Sequence, residues 1–286
     1  MLTYEAPDID SFLACFLPTS WLLGGSSAWL FRGQGNASWG LVPSLFRRGS
    51  YEGIESMRRH ATGGAYLDVS EGNVAESLEA AVDQRLFAVL ADLGTGVARV
   101  EELAAQVARL EVEAARGGAG LSDERLALAQ HLGLPTRLLD WSHSPWVAAY
   151  FAAASAEGDA ERFAVFAMQS TYANNSGRLR VNRVAAPSSF GNRAMAAQRG
   201  LFLRVNGPTK SHSGEDRWDL ACGHQESLVG PGAGRTARVD DMLVKVTAPR
   251  ASSGRVLKTM RAWGIYGATM FPGDRGLAMA VREMLF

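Results

Sequence analysis

The stretch LSDERLALAQHLGLPTRLLDWSHSPWVAAYFAAAS, residues 121 to 155, leaves the backbone few choices. Ser122 is placed to cap a helix whose first turn carries Asp123 and Glu124, both favourable at the positive end of the helix dipole. Gly133 stands where a left-handed residue closes the last turn, and Pro135 forbids any continuation. The extended piece TRLLDWS follows, and Ser144-Pro145 supplies a cap and a first-turn proline for a second helix, WVAAYFAAAS. Helix, strand, tight turn and helix in succession predict a mixed fold. They also gather Thr136, Arg137, Asp140, Ser142 and Ser144 around one strand end, a usual place for a site.

A second stretch, FRGQGNASWGLVPSLFRR, residues 31 to 48, poses a chemical question. An apolar run, Trp29-Leu30-Phe31, delivers Arg32 straight into the pair Gly33 and Gly35, with Gln34 between them. Arginine at the end of a buried strand, beside backbone without side chains, is suited to grip an anion through its forked donors. An equally ordinary use is an interior ion pair, with Asp140 as the natural partner. Elsewhere the periodic Ile9, Phe12, Leu13 and Phe16 predict a short helix within 9 to 23. RFAVFAM (162 to 168), GLFLRV (200 to 205) and MLVKVTAP (242 to 249) read as strands, and the tail from Ser253 reads as helix, turn, short extended segment and final helix. An alanine- and leucine-rich stretch over 74 to 117 reads as two helices of a helical insert spanning 50 to 120. Gly, Ser, Pro and charge over 206 to 240 read as a long loop, or one with small strands of its own.

Composition narrows the function classes. Lysine plus arginine and aspartate plus glutamate number 29 each, so no overall field draws the chain to nucleic acid or an anionic membrane, and an anion site must be local. Cys15 and Cys222 have no metal-type spacing, and His143 and His224 have no fixed spacing to carboxylates, so no metal site is expected. The opening MLTYEAPDID lacks a basic flank and apolar stretch, and no apolar run approaches the roughly 20 residues of a spanning helix. A cytoplasmic protein with no membrane attachment is the expectation.

The two stretches above, together with RAMAAQRGLF and the closing MLVKV and GIYGATMFPGDRGLAM segments, resemble in their order the FRG-domain family, named for its Phe-Arg-Gly opening. The resemblance spans nearly the whole chain, as one domain over 1 to 286, with the insert and the 206 to 240 loop as additions. A second likeness is to the ADP-ribosyltransferases. It implies an α+β fold with a small mixed or antiparallel sheet, flanking helices and a cleft for NAD. Carried onto this sequence, Arg32 takes the arginine role and Ser142 the hydroxyl role, while Gln198 or Glu226 takes the third catalytic place. Gly33, Gln34, Thr136 and Arg137 are candidates for holding the cofactor beside Arg32. Asp140, Trp141, Ser144 and Tyr150 complete that set.

Breaking the nicotinamide–ribose bond develops positive charge on the ribose, so a carboxylate beside it stabilises the transition state. Glutamate also accepts a proton from the incoming nucleophile, which glutamine does not. The implied activity is transfer of ADP-ribose to nucleic acid or protein, in a bacterial toxin or phage-defence effector, with an antitoxin or regulator on the helical insert. The alternative is a non-catalytic module in which Arg32, Arg137, Arg193 and Arg199 hold phosphates while Trp39, Trp141 and Trp146 stack on bases. A nucleic-acid hydrolase with His131 as base and Asp140 as orienter is the third reading.

Overall fold

The computed structural model describes residues 1–23, 28–47, 123–131, 133–156, 158–173, 181–184, 193–205, 218–221, 227–228 and 243–285. The expected helical insert over 50 to 120, Glu226 and most of the 206 to 240 loop lie outside them. In chain order the elements are β1 (Leu2–Glu5), α1 (Ile9–Ala14), β2 (Trp29–Gln34), a 3-10 turn at Ser44–Phe46, α2 (Asp123–His131), β3 (Leu138–Ser142) and α3 (Pro145–Ala154). There follow β4 (Arg162–Gln169), α4 (Ser170–Ala173), β5 (Val181–Val184), α5 (Arg193–Ala197), β6 (Gly200–Val205), β7 (Ser227–Leu228) and β8 (Leu243–Pro249). The tail forms α6 (Ser253–Ala262), α7 (Gly267–Met270) and α8 (Asp274–Arg282). The fold is α+β.

The strands form one sheet of eight in the order β5-β6-β3-β2-β4-β8-β1-β7, larger than the sheet expected from sequence. Its middle is antiparallel, with β2 between β3 and β4, and β4 beside β8. β1 runs parallel to both β8 and β7, which makes the sheet mixed. β4 is buried along almost its whole length, which is why RFAVFAM reads as a near-continuous apolar run instead of an alternation. Its Phe163, Val165 and Ala167 join the main core with Phe12 of α1, Ala149 and Tyr150 of α3, and Val256 and Met260 of α6. Edge-on rings lock this core: Phe12 meets Phe163 at 5.4 Å and Phe16 at 5.2 Å between centroids.

The glycine pair in β2 is explained by packing. A Cβ on Gly33 would lie 2.0 Å from the Ala148 carbonyl oxygen and 2.6 Å from the Ala152 nitrogen. One on Gly35 would lie 1.8 Å from the Ser155 carbonyl oxygen. The backbone of α3 therefore rests directly on the strand. Ser144 caps that helix through Val147 N–H, and Pro145 occupies its first turn, as the sequence indicates.

The chain divides into two compact units, Met1–Gly40 with Asp140–Leu203 and Ala221–Phe286, and Leu41–Leu139 with Arg204–Leu220. In the second, Phe46 stacks on Trp218 at 3.6 Å between centroids, and Asp219 Oδ1 accepts the Leu41 N–H. The tail departs from the sequence reading at one point. The segment expected to be extended after the Gly264 turn is the one-turn helix α7, begun by a capping box in which Thr269 Oγ1 accepts the Tyr266 N–H. Among the described residues no helix is long and apolar enough to cross a membrane.

Candidate active site

β2 carries Arg32 beside β4, where it lies opposite Phe166, and its neighbour Phe31 pairs across the other edge with Ser142 of β3. The strand ends thus bring residue 32 and residues 140 to 142 to one place. Arg32 Nη1 donates to the Asp140 carbonyl oxygen at 2.7 Å and stands 3.7 Å from Asp140 Oδ2. The arginine side chain is 13% exposed and the aspartate 61%, so the ion pair itself is open to water on the acid's side and adds little stability. The pairing foreseen between Arg32 and Asp140 is present, and Arg32 also lines a cavity of about 420 Å³.

Three separated stretches furnish that cavity. Phe31, Arg32 and Gly33 come from β2, Asp140, Trp141 and Ser142 from β3, and Gln198 from the turn after α5. Phe151 of α3, Phe271 after α7, and Arg275 and Met279 of α8 complete the wall. The turns are tied to each other: Ser142 Oγ donates to the Gln198 carbonyl oxygen at 2.7 Å and accepts from Ser144 N–H at 2.9 Å. His143 N–H donates to the Arg199 carbonyl oxygen at 3.0 Å. Arg199 holds a left-handed backbone, φ 47°, the one non-glycine among the described residues to do so, and such strain collects at sites that the surroundings over-determine. The Gln198 side chain is fixed as well, its Nε2 donating to the Met270 carbonyl oxygen at 3.0 Å.

The lining has a definite chemistry. Arg32 and Arg275 are cations, Asp140 is the one carboxylate of the wall, and Phe31, Trp141, Phe151 and Phe271 are aromatic. Phe271 meets Phe151 edge-on at 5.7 Å and carries the Arg275 guanidinium 4.9 Å above its ring. Trp141 is 2% exposed, and among the described residues its indole N–H has no hydrogen-bond partner. A buried donor left unmade costs about 1–3 kcal/mol, which a bound acceptor would offset. Two guanidiniums, an open indole donor and aromatic faces fit a ligand with phosphate and flat rings, and so fit NAD.

Other sequence candidates have different duties. Gly33 borders the cavity, yet its missing side chain makes room for α3, not for a ligand. Gln34 is buried, is not part of the wall, and its Nε2 donates to the Gly40 carbonyl oxygen. Ser144 caps α3. Tyr150 is fully buried, its hydroxyl donating to Glu283 Oε1 at 2.6 Å; burial first, then the Glu283 carboxylate, push that phenol far above its ordinary range. Thr136 and Arg137 belong to the second compact unit. There Thr136 Oγ1 donates to Gln130 Oε1 and accepts the Leu138 N–H, while Arg137 is buried and its carbonyl accepts the Val205 N–H. His131 ends α2 in that unit, exposed.

Sequence reasoning missed Arg275, Phe271 and Met279. Their signal was the closing block GIYGATMFPGDRGLAM, whose Pro-Gly-Asp reads as a turn and hides that the next arginine begins a helix facing the cavity wall.

His143, one residue beyond Ser142, lies against Arg183, whose Nη2 is 3.1 Å from His143 Nε2. Guanidinium only donates, so Nε2 accepts and the ring is neutral with its proton on Nδ1. Desolvation first, and then the charges of Arg183 and Arg199, hold its pKa below the ordinary 6.5. The unfolded chain therefore takes up this proton at a higher pH than the folded one. Stability linked to His143 is complete above 6.5 and declines as pH falls from there through the folded pKa. Ring-proton NMR is expected to show a midpoint under 6.5 that rises in Arg183→Ala; a midpoint at or above 6.5 contradicts this account.

Residues 27–161 match the family model described as the FRG domain, a span holding β2, β3 and α3 but not Gln198, Phe271 or Arg275. No curated protein and no solved structure matches the chain.

Proposed function

Because the chain carries an FRG domain across residues 27–161, and that domain supplies one side of the cavity, we propose that the protein is an ADP-ribosyltransferase-like enzyme whose cavity takes NAD. The observation that carries this reading is the convergence of Arg32, Ser142 and Gln198, from three distant stretches, on one hollow. Its volume of about 420 Å³ lies within the range of small-molecule sites. NAD, when bound, supplies an activated ADP-ribose whose bond to nicotinamide is the one to be broken. Arg32 and Arg275 are the groups for the pyrophosphate, Arg32 by its fork and Arg275 from the facing helix. Phe31, Trp141, Phe151 and Phe271 offer faces and edges to the flat rings.

Ser142 acts through structure: its hydroxyl proton is committed to the Gln198 carbonyl, so it fixes the Gln198 turn and is no nucleophile. Gln198, held by Met270, is a hydrogen-bonding group for ribose hydroxyls and carries no charge. Proton acceptance from the incoming nucleophile falls to Asp140 within the described wall. The acceptor is nucleic acid or protein, in a toxin or phage-defence setting.

The test is release of nicotinamide from NAD by the full chain, with and without cell lysate or RNA. Release that depends on Arg32 supports the reading, and no release under any of these conditions ends it. A second reading, a nucleotide-binding module without turnover, is favoured by glutamine standing where a transferase has an acid. NAD that binds calorimetrically without turnover selects it.

A further inference from the structure

α8 has two unlike faces. Its inner face is seated on α7 with almost no gap: a Cβ on Gly276 would lie 1.8 Å from the Phe271 carbonyl oxygen, and one on Gly267 would lie 2.6 Å from the Ala280 nitrogen. Glu283, just beyond the helix, is drawn inward to Tyr150 and to the Gly267 N–H. The outer face is apolar and open. Leu277, Val281 and Met284 recur at spacings of four and three residues, one stripe of a helix, and are 62%, 53% and 65% exposed. Scattered exposed apolar residues need no explanation, but three in register on a helix whose other side is already packed form a contiguous patch.

The charges beside the stripe indicate what covers it. Asp274 lies at the start of α8 and Arg282 at its end, both exposed. Two copies of this helix laid antiparallel about a two-fold axis level with Met279 set Leu277 of each against Val281 of the other. The same register places Asp274 about 3 Å along the axis, two residues at 1.5 Å each, from the level of Arg282 of the second copy. A two-fold pairing makes each such contact twice. We propose that the outer face of α8 is a homodimer interface, with a second copy of this chain as its occupant. Arg275 and Met279 of the same helix line the cavity, so pairing braces that wall in both copies.

Sedimentation velocity of the full chain over a range of concentrations tests this. The expected result is a reversible monomer–dimer equilibrium, weakened about tenfold or more by Leu277→Glu or Val281→Glu. Asp274→Arg alone and Arg282→Asp alone are expected to weaken it, and the two together to restore it. Both side chains point to solvent, so circular dichroism should be unchanged in all four variants. A chain monomeric at every concentration overturns the proposal. So does a dimer indifferent to Leu277→Glu, or a double charge reversal that fails to recover association. A stable complex with a different protein that Leu277→Glu abolishes, in a chain otherwise monomeric, assigns the face to another partner and overturns it equally.

Discussion

Gly33→Ala is expected to lower the melting temperature by roughly 6–12 °C, from a destabilisation of about 3 kcal/mol in a chain of this size. Two effects oppose each other. Glycine inside a strand forfeits about 0.5–1 kcal/mol to backbone entropy, so alanine gains that much. Against it, the new Cβ would sit 2.0 Å from a carbonyl oxygen and 2.6 Å from an amide nitrogen of α3. Those are backbone atoms of a capped helix, which cannot swing aside as a side chain does, so α3 must lift off β2 and the core between them opens. Gly200→Ala is the control: its Cβ would meet the flexible end of Met195 at 3.1 Å, and its stability should stay within about 1 kcal/mol of the parent. Thermal and urea unfolding of both variants decide the matter. Equal stability of Gly33→Ala and the parent would show that α3 does not rest on the strand.

Arg32→Lys is expected to leave the fold intact and to reduce nicotinamide release by about a hundredfold to a thousandfold, as loss of a transition-state donor does. Lysine keeps the charge and loses the planar fork, so it separates charge from geometry. Arg32→Ala is the less informative change, because it also removes the bond to the Asp140 carbonyl that joins β2 to β3. Should the lysine variant turn over NAD at the parent rate, the guanidinium is only a strut between strands. Arg275→Ala, which touches no strand, is expected to raise KM for NAD more than it lowers kcat.

What could be read in the sequence follows contact distance along the chain. The 121 to 155 stretch was legible because caps, Gly133 and Pro135 act within a few residues, and Gly133 takes the left-handed backbone expected of it. β4 was legible from its unbroken apolar run. β1, β5 and β7 were not, since strands of two to four residues carry too little pattern to distinguish from loop. Gly33 looked like a ligand's approach because its true neighbour, Ala148, lies on an element far along the chain. Arg32, Ser142 and Gln198 were named together on a resemblance, and all three line one cavity. Arg275 was lost for the opposite reason, in a block noticed as a whole but never searched for a side chain that reaches inward.

The placement of β1 has a consequence for how the protein is made. Leu2 pairs with Val244 and Ser227, so the first strand to leave the ribosome has both its neighbours among the last. At about 5–20 residues per second, some 12–48 s pass between the synthesis of β1 and of β8. Through that interval Leu2, Thr3 and Tyr4, all buried in the finished sheet, are exposed together with the backbone donors and acceptors their neighbours will occupy. The nascent chain is thus open to edge-to-edge capture by its own siblings on a polysome until translation has nearly ended.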